Sequence, residues 1–84
     1  MATYYVDGQF LPASKAVIPI DDLAIMRGLG VFDLLRTLNG KPLFLKEHIM
    51  RLEDSARRIG IALPWSRTEL IRVVMEVLHR NSFK

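Results

Sequence analysis

His48, Arg51 and Ser55 are spaced three and four residues apart, and on a helix, at about 100° per residue, that spacing lines them along one flank. An imidazole, a guanidinium and a hydroxyl sharing a flank form a set of groups suited to an anion, because a planar guanidinium meets phosphate or carboxylate oxygens two at a time. A second reading needs no ligand. Glu47, Glu53 and Asp54 precede Arg51, Arg57 and Arg58 by four residues each, and acid-to-base pairs at that spacing account for a solvated helix face by themselves.

Positioning these groups requires a helix over residues 46–59, where Ile49, Leu52, Ala56 and Ile59 recur at the spacing of a buried stripe. Its start lacks a Ser, Thr, Asp or Asn cap, and Gly60 supplies a stop. A second helix is better marked. Ser66 and Glu69 form a capping box, Trp65 is placed to staple onto Leu70, and Leu70, Ile71, Val74, Val77 and Leu78 trace one apolar stripe. Upstream, Asp7-Gly8 and Asn39-Gly40 each separate apolar runs and suit two-residue hairpin turns. Between them Asp21-Asp22 caps a helical turn over Leu23 to Met26 that Gly28 closes. Strands followed by helices predict an α+β domain, an antiparallel sheet with two hairpins covered by two C-terminal helices.

Pairing across Asn39-Gly40 sets Leu38 opposite Lys41, Arg36 opposite Leu43 and Leu34 opposite Leu45. Arg36 then shares a face with Phe32 and Leu34, where it either snorkels to the sheet edge or meets an acid or an anionic ligand. Asp33 lies on the other face with Leu35 and Phe44, and the same choice between a satisfied partner and a chemical role applies to it. The segment Arg27-Gly28-Leu29-Gly30-Val31-Phe32 allows a tight bend before a strand. It is not a dinucleotide fingerprint, since no strand precedes it and no third glycine opens a helix.

Eighty-four residues make one domain, and a chain this short hides only about 60 to 65% of its unfolded surface. Half of it is nonetheless hydrophobic and the mean hydropathy is +0.17, which predicts a partner surface covered by a second copy or by the rest of a longer chain. Cysteine is absent, excluding disulfides and thiolate metal sites. His48 and His79 fall on different helices with no acidic cluster beside them, so no metal site is expected. The net charge of +3 comes largely from arginines after residue 50 that interleave with Glu53, Asp54, Glu69 and Glu76, a helix surface rather than a nucleic-acid stripe. Without a spanning apolar run or a signal peptide, the chain reads as soluble, non-membrane and cytoplasmic.

Taken in order, these segments resemble the N-terminal domain of the class IV, fold-type IV, pyridoxal-phosphate (PLP) enzymes, which include branched-chain and D-amino-acid aminotransferases and aminodeoxychorismate lyase. The resemblance rests on the strand pair at Tyr4 to Leu11, the turn from Asp22 to Arg27, Gly28-Leu29-Gly30-Val31-Phe32-Asp33 with Arg36, the Asn39-Gly40 hairpin, and Glu47-His48-Ile49-Met50-Arg51-Leu52 followed by Ser55-Ala56. It implies that Arg51 grips the cofactor phosphate with His48 in support, and that Phe32, Arg36 and Asp33 belong to the substrate pocket. Phe32 leans that pocket toward an apolar side chain. Asp33 and Leu29 depart from the residues common in relatives, Glu and an acid. The Schiff-base lysine of such enzymes lies in a second, larger domain, and Lys15, Lys41, Lys46 and Lys84 match no such position. Residues 1–84 are therefore expected to be the small N-terminal domain of a longer, homodimeric enzyme that moves an amino group between an amino acid and a 2-oxo acid, inactive alone. A PLP lyase of the aminodeoxychorismate type and a free-standing protein-interaction module are the alternatives.

Overall fold

In a computed structural model that describes residues 2–81, the chain opens with a tight hairpin of β1 (Thr3–Val6) and β2 (Gln9–Pro12). Asp7 and Gly8 turn it with φ of 49° and 85°, the doubly left-handed conformation that matches strand twist and that an Asp-Gly pair adopts at low cost. The register sets Tyr5 opposite Phe10, and their rings meet edge-on at 4.9 Å. Residues after β2 run through a single 3-10 turn, Ala13–Lys15, to α1 (Leu23–Arg27). There the Asp22 carboxylate accepts from the Ala24 N–H at 2.8 Å and Gly28 closes the turn in the left-handed region.

The second hairpin follows. Asn39 and Gly40 repeat the same turn, with φ of 52° and 77°, between β3 (Thr37–Leu38) and β4 (Lys41–Pro42), paired in the expected register. The domain is α+β as expected, although the two hairpins form separate two-stranded ladders instead of one sheet. Beyond Arg36, whose carbonyl accepts from the Leu43 N–H at 2.8 Å as the expected register requires, residues 31–35 lead in without strand pairing, although their side chains alternate between half-buried and exposed as a strand's would.

Two helices complete the domain: α2 (Leu45–Arg58) and α3 (Arg67–Asn81). As the sequence predicts, α2 has no side-chain cap; Phe44 precedes it in the left-handed region. It buries Ile49 and Ala56, which are 4% and 1% exposed. Ile59, expected on the buried stripe, is 41% exposed, because the helix has already ended at Arg58 and the chain turns away at Gly60. The capping box of α3 closes both ways: Ser66 Oγ accepts from the Glu69 N–H at 3.1 Å and Glu69 Oε1 from the Ser66 N–H at 3.0 Å. Ser66→Ala is expected to cost about 1 kcal/mol, read as a fall of about 4–8 °C in thermal midpoint for a domain of this size.

The aromatic face of β1 and β2 docks on α3. Trp65 packs edge-on to Tyr5 at 5.8 Å, and the Arg80 guanidinium lies 4.1 Å over the Phe10 ring. Asn81 then joins the two ends of the chain. Its Oδ1 accepts from the Thr3 N–H at 2.7 Å while its Nδ2 donates to the Thr3 carbonyl at 2.8 Å, so one amide stands in for a neighbouring strand. Among the described residues no helix is long and apolar enough to cross a membrane.

Little of the apolar half of the chain is hidden. Ile20, Phe32, Leu34 and Phe44 are 72–82% exposed, and the stretch from Val17 to Gly30 is exposed throughout. A folded monomer of 9.6 kDa exposes about 5,100 Å² by the usual scaling with mass; this chain exposes 6797 Å².

Candidate functional site

Three polar side chains converge where residues 31–36 pass the first turns of α2. The Asn39-Gly40 turn folds the chain back on itself, the reversal at Phe44 starts α2, and Asp33 is thereby brought beside residues fifteen and eighteen positions later in sequence. Asp33 is on the half-buried side of its segment, its side chain 11% exposed. Arg51 grips it from the side, Nε donating to Oδ2 at 2.8 Å and Nη2 to Oδ1 at 2.7 Å. His48 Nδ1 lies 2.8 Å from the same Oδ1.

A guanidinium and an imidazole N–H so close keep Asp33 ionised. Hydrogen bonds from Arg51, then from His48, hold its carboxyl far below the usual carboxylate range, and the same contact raises Arg51 above its ordinary value. An ionised carboxylate only accepts, so His48 carries its proton on Nδ1. The 3.1 Å approach of Arg51 Nη2 to Nδ1 is then a contact between two donors that share one acceptor.

The sign of the pH effect follows. A depressed native pKa adds stability above the unfolded value of 3.8, and that stability drains away as pH falls below it. Wild type and Asp33→Asn are expected to differ in thermal midpoint above about pH 4 and to converge in stronger acid. A gap that stays constant down to acid pH contradicts the ionised assignment.

This pairing replaces the local one that the sequence allowed. Glu47 does not hold Arg51; Glu53 bonds Arg67 at 2.9 Å across to α3, and Asp54 takes both Arg57 and, at 3.1 Å, Arg58. Arg51 is free of its own helix's acids, with its side chain 64% exposed. Among the described residues nothing bonds its Nη1, nor Nε2 of His48, nor the Ser55 hydroxyl. Arg51, His48, Phe44 and Glu47 line a hollow of about 230 Å³. Larger hollows lie elsewhere, such as one of about 440 Å³ between β1 and α3, but they lack this convergence of donors.

The hollow suits an anion. The free Nη1–Nη2 end of the guanidinium offers two parallel N–H groups to two oxygens, with the Glu47 carboxylate on the rim to limit how much negative charge is welcome. Phe32 and Arg36 are not gathered with this cluster. They project from the opposite face of the 31–36 segment, Phe32 82% exposed. The grip of Asp33 on Arg51, and Phe44 and Glu47 as walls, went unseen in the sequence. An acid and a base separated by a hairpin carry no spacing signal, unlike partners on one helix.

Residues 30–84 match the family model described as amino-transferase class IV. The chain is 38% identical over 80 residues to a protein of Methanocaldococcus jannaschii assigned as a branched-chain-amino-acid aminotransferase, covering 95% of this chain and 28% of that one. It is 30% identical over 82 residues to a D-alanine aminotransferase of Staphylococcus epidermidis, covering 98% and 29%. A D-alanine aminotransferase of Staphylococcus aureus is also 30% identical, over 84 residues, covering 100% and 30%. The chain thus spans less than a third of the length of these relatives.

Proposed function

The chain belongs to the class IV aminotransferases, and from that premise we propose that it is the small N-terminal domain of an enzyme that moves an amino group between an amino acid and a 2-oxo acid with PLP. The observation that carries this reading is a hollow lined by Arg51 and His48 beside a guanidinium whose Nη1 is unbonded among the described residues, a donor set that fits a phosphate. Arg51 would take two phosphate oxygens at Nη1 and Nη2, and His48 would secure the carboxylate that holds Arg51. When bound, the cofactor supplies an aldehyde that takes up the donor's amino group and a sink for the electrons left at its α-carbon. Phe32 and Arg36 would contribute to the substrate pocket, the ring favouring an apolar substrate side chain and the guanidinium a carboxylate.

The lysine that such chemistry needs, with its amine made nucleophilic at neutral pH, would come from a larger domain of the same polypeptide. In support, the relatives are more than three times as long as this chain, and the exposed surface exceeds that of a monomer by about 1,700 Å², a sizeable interface for one side. Domain docking and homodimer formation would cover it, and the domain alone would be inactive.

The test is amino transfer itself. The intact protein loaded with PLP is expected to convert an amino acid and a 2-oxo acid into the exchanged pair, with branched-chain L-amino acids and D-alanine as the first donors to compare. Release of a fragment from an aminodeoxychorismate-like substrate without need of an acceptor would establish the lyase alternative. No turnover of either kind, with PLP retained or not, would leave the interaction module.

A further inference from the structure

A guanidinium has two edges that receive an anion two-pronged, the side Nε–Nη2 edge and the Nη1–Nη2 end. In this domain Asp33 takes the side edge with both of its oxygens, at 2.8 and 2.7 Å, and the end is left open. Which partner is fixed is set by burial. Asp33 is 11% exposed and held by its own segment and by His48, whereas Arg51 is 64% exposed and would otherwise sample many rotamers. A carboxylate in that place either competes with an incoming anion for Arg51 or aims Arg51 at it.

Resting on the phosphate-anchor reading above, we propose that Asp33 is a positioning residue that clamps the side edge of Arg51, steadied by His48 at the shared Oδ1, and so presents the open end as a preformed anchor for the cofactor phosphate. Three features support aiming over competition. The two edges are distinct, so the acid does not occupy the end that a phosphate would use. The clamp fixes the plane of the guanidinium, which sets where its remaining N–H groups point. His48 donates Nδ1–H to the carboxylate, offsetting negative charge that would otherwise repel a phosphate. Holding a long side chain in its binding conformation beforehand spares the ordering entropy at the moment of binding, in the way that outer partners orient the ligands of a metal.

The two possibilities predict opposite signs. The experiment measures, in the intact protein, the affinity for PLP and for pyridoxal, which shares the ring and lacks the phosphate. Asp33→Ala is expected to weaken PLP binding about tenfold with pyridoxal unchanged, Asp33→Glu to restore most of the loss, and Asp33→Ala to add nothing in an Arg51→Ala background. Asp33→Asn keeps the shape and one acceptor, and its intermediate loss serves where the alanine variant does not fold. Tighter or unchanged PLP binding in Asp33→Ala, with Arg51→Ala still damaging, overturns the clamp and leaves the anchor standing. A further loss in the Arg51→Ala background, or an equal loss for pyridoxal, makes Asp33 merely structural. If Arg51→Ala itself leaves PLP affinity unchanged, the anchor reading falls instead.

Discussion

Arg51→Ala in the intact protein is expected to weaken PLP binding by about a hundredfold, since a two-pronged charge-assisted contact is removed, while the domain stays folded. The fold should tolerate the change because the Arg51 side chain is 64% exposed and the residues α2 buries are Ile49 and Ala56. Asp33 would keep the His48 Nδ1–H, so its charge is not stranded. Arg51→Lys should recover only a minor part of the affinity. An ammonium supplies charge but no planar fork, and cannot satisfy Asp33 and a phosphate along two edges at once. Dialysis followed by the cofactor's absorbance reads the loss directly, and unchanged retention would remove Arg51 from the site.

The largest effect on stability is expected at Ile49. Truncation to alanine removes a nearly fully buried side chain and should cost about 2 to 4 kcal/mol, a large share of the total for a domain of this size. With a thermal midpoint moving about 4–8 °C per kcal/mol, denaturation followed by circular dichroism would show it plainly. Ile59→Ala is the control. At 41% exposure just past the end of α2, it should shift the midpoint by a small fraction of that. Equal losses at the two positions would mean that the core does not centre on α2. Ile49 lies one residue from His48 and two from Arg51, so loosening it is also expected to blur the anion site, lowering PLP affinity without touching any donor.

Most of the elements were legible because their signals are local. Asp-Gly and Asn-Gly name their own turns, Ser66 and Glu69 name the start of α3, and the stripe through Ile49 and Ala56 names the inward side of α2. Ile59 misled because the apolar spacing continues past the point where α-helical bonding gives way to the tighter bonds of the helix end, the Ile59 N–H reaching back only to the Ala56 carbonyl at 3.2 Å. The segment 31–36 read as a strand from its alternation, but a strand needs a neighbour, and alternation says nothing about whether one is at hand. The candidate site was half visible. His48 and Arg51 fall on one flank by arithmetic alone, whereas the choice of Asp33 over Glu47 as the partner of Arg51 depends on how the hairpin and the reversal at Phe44 deliver the 31–36 segment to the helix. Burial and distance decide that choice, and neither is encoded at a fixed spacing.

The reversal at Phe44 has a consequence of its own. A bulky aromatic with φ of 55° adopts a conformation that glycine takes without a Cβ clash, and a side chain 72% exposed recovers little from burial to offset it. Phe44→Gly is therefore expected to raise the domain's stability by about 1 kcal/mol, measured by thermal or chemical denaturation. What the wild-type residue gains in exchange is a wall for the hollow at Arg51, so durability and ligand capture pull against each other at this one position.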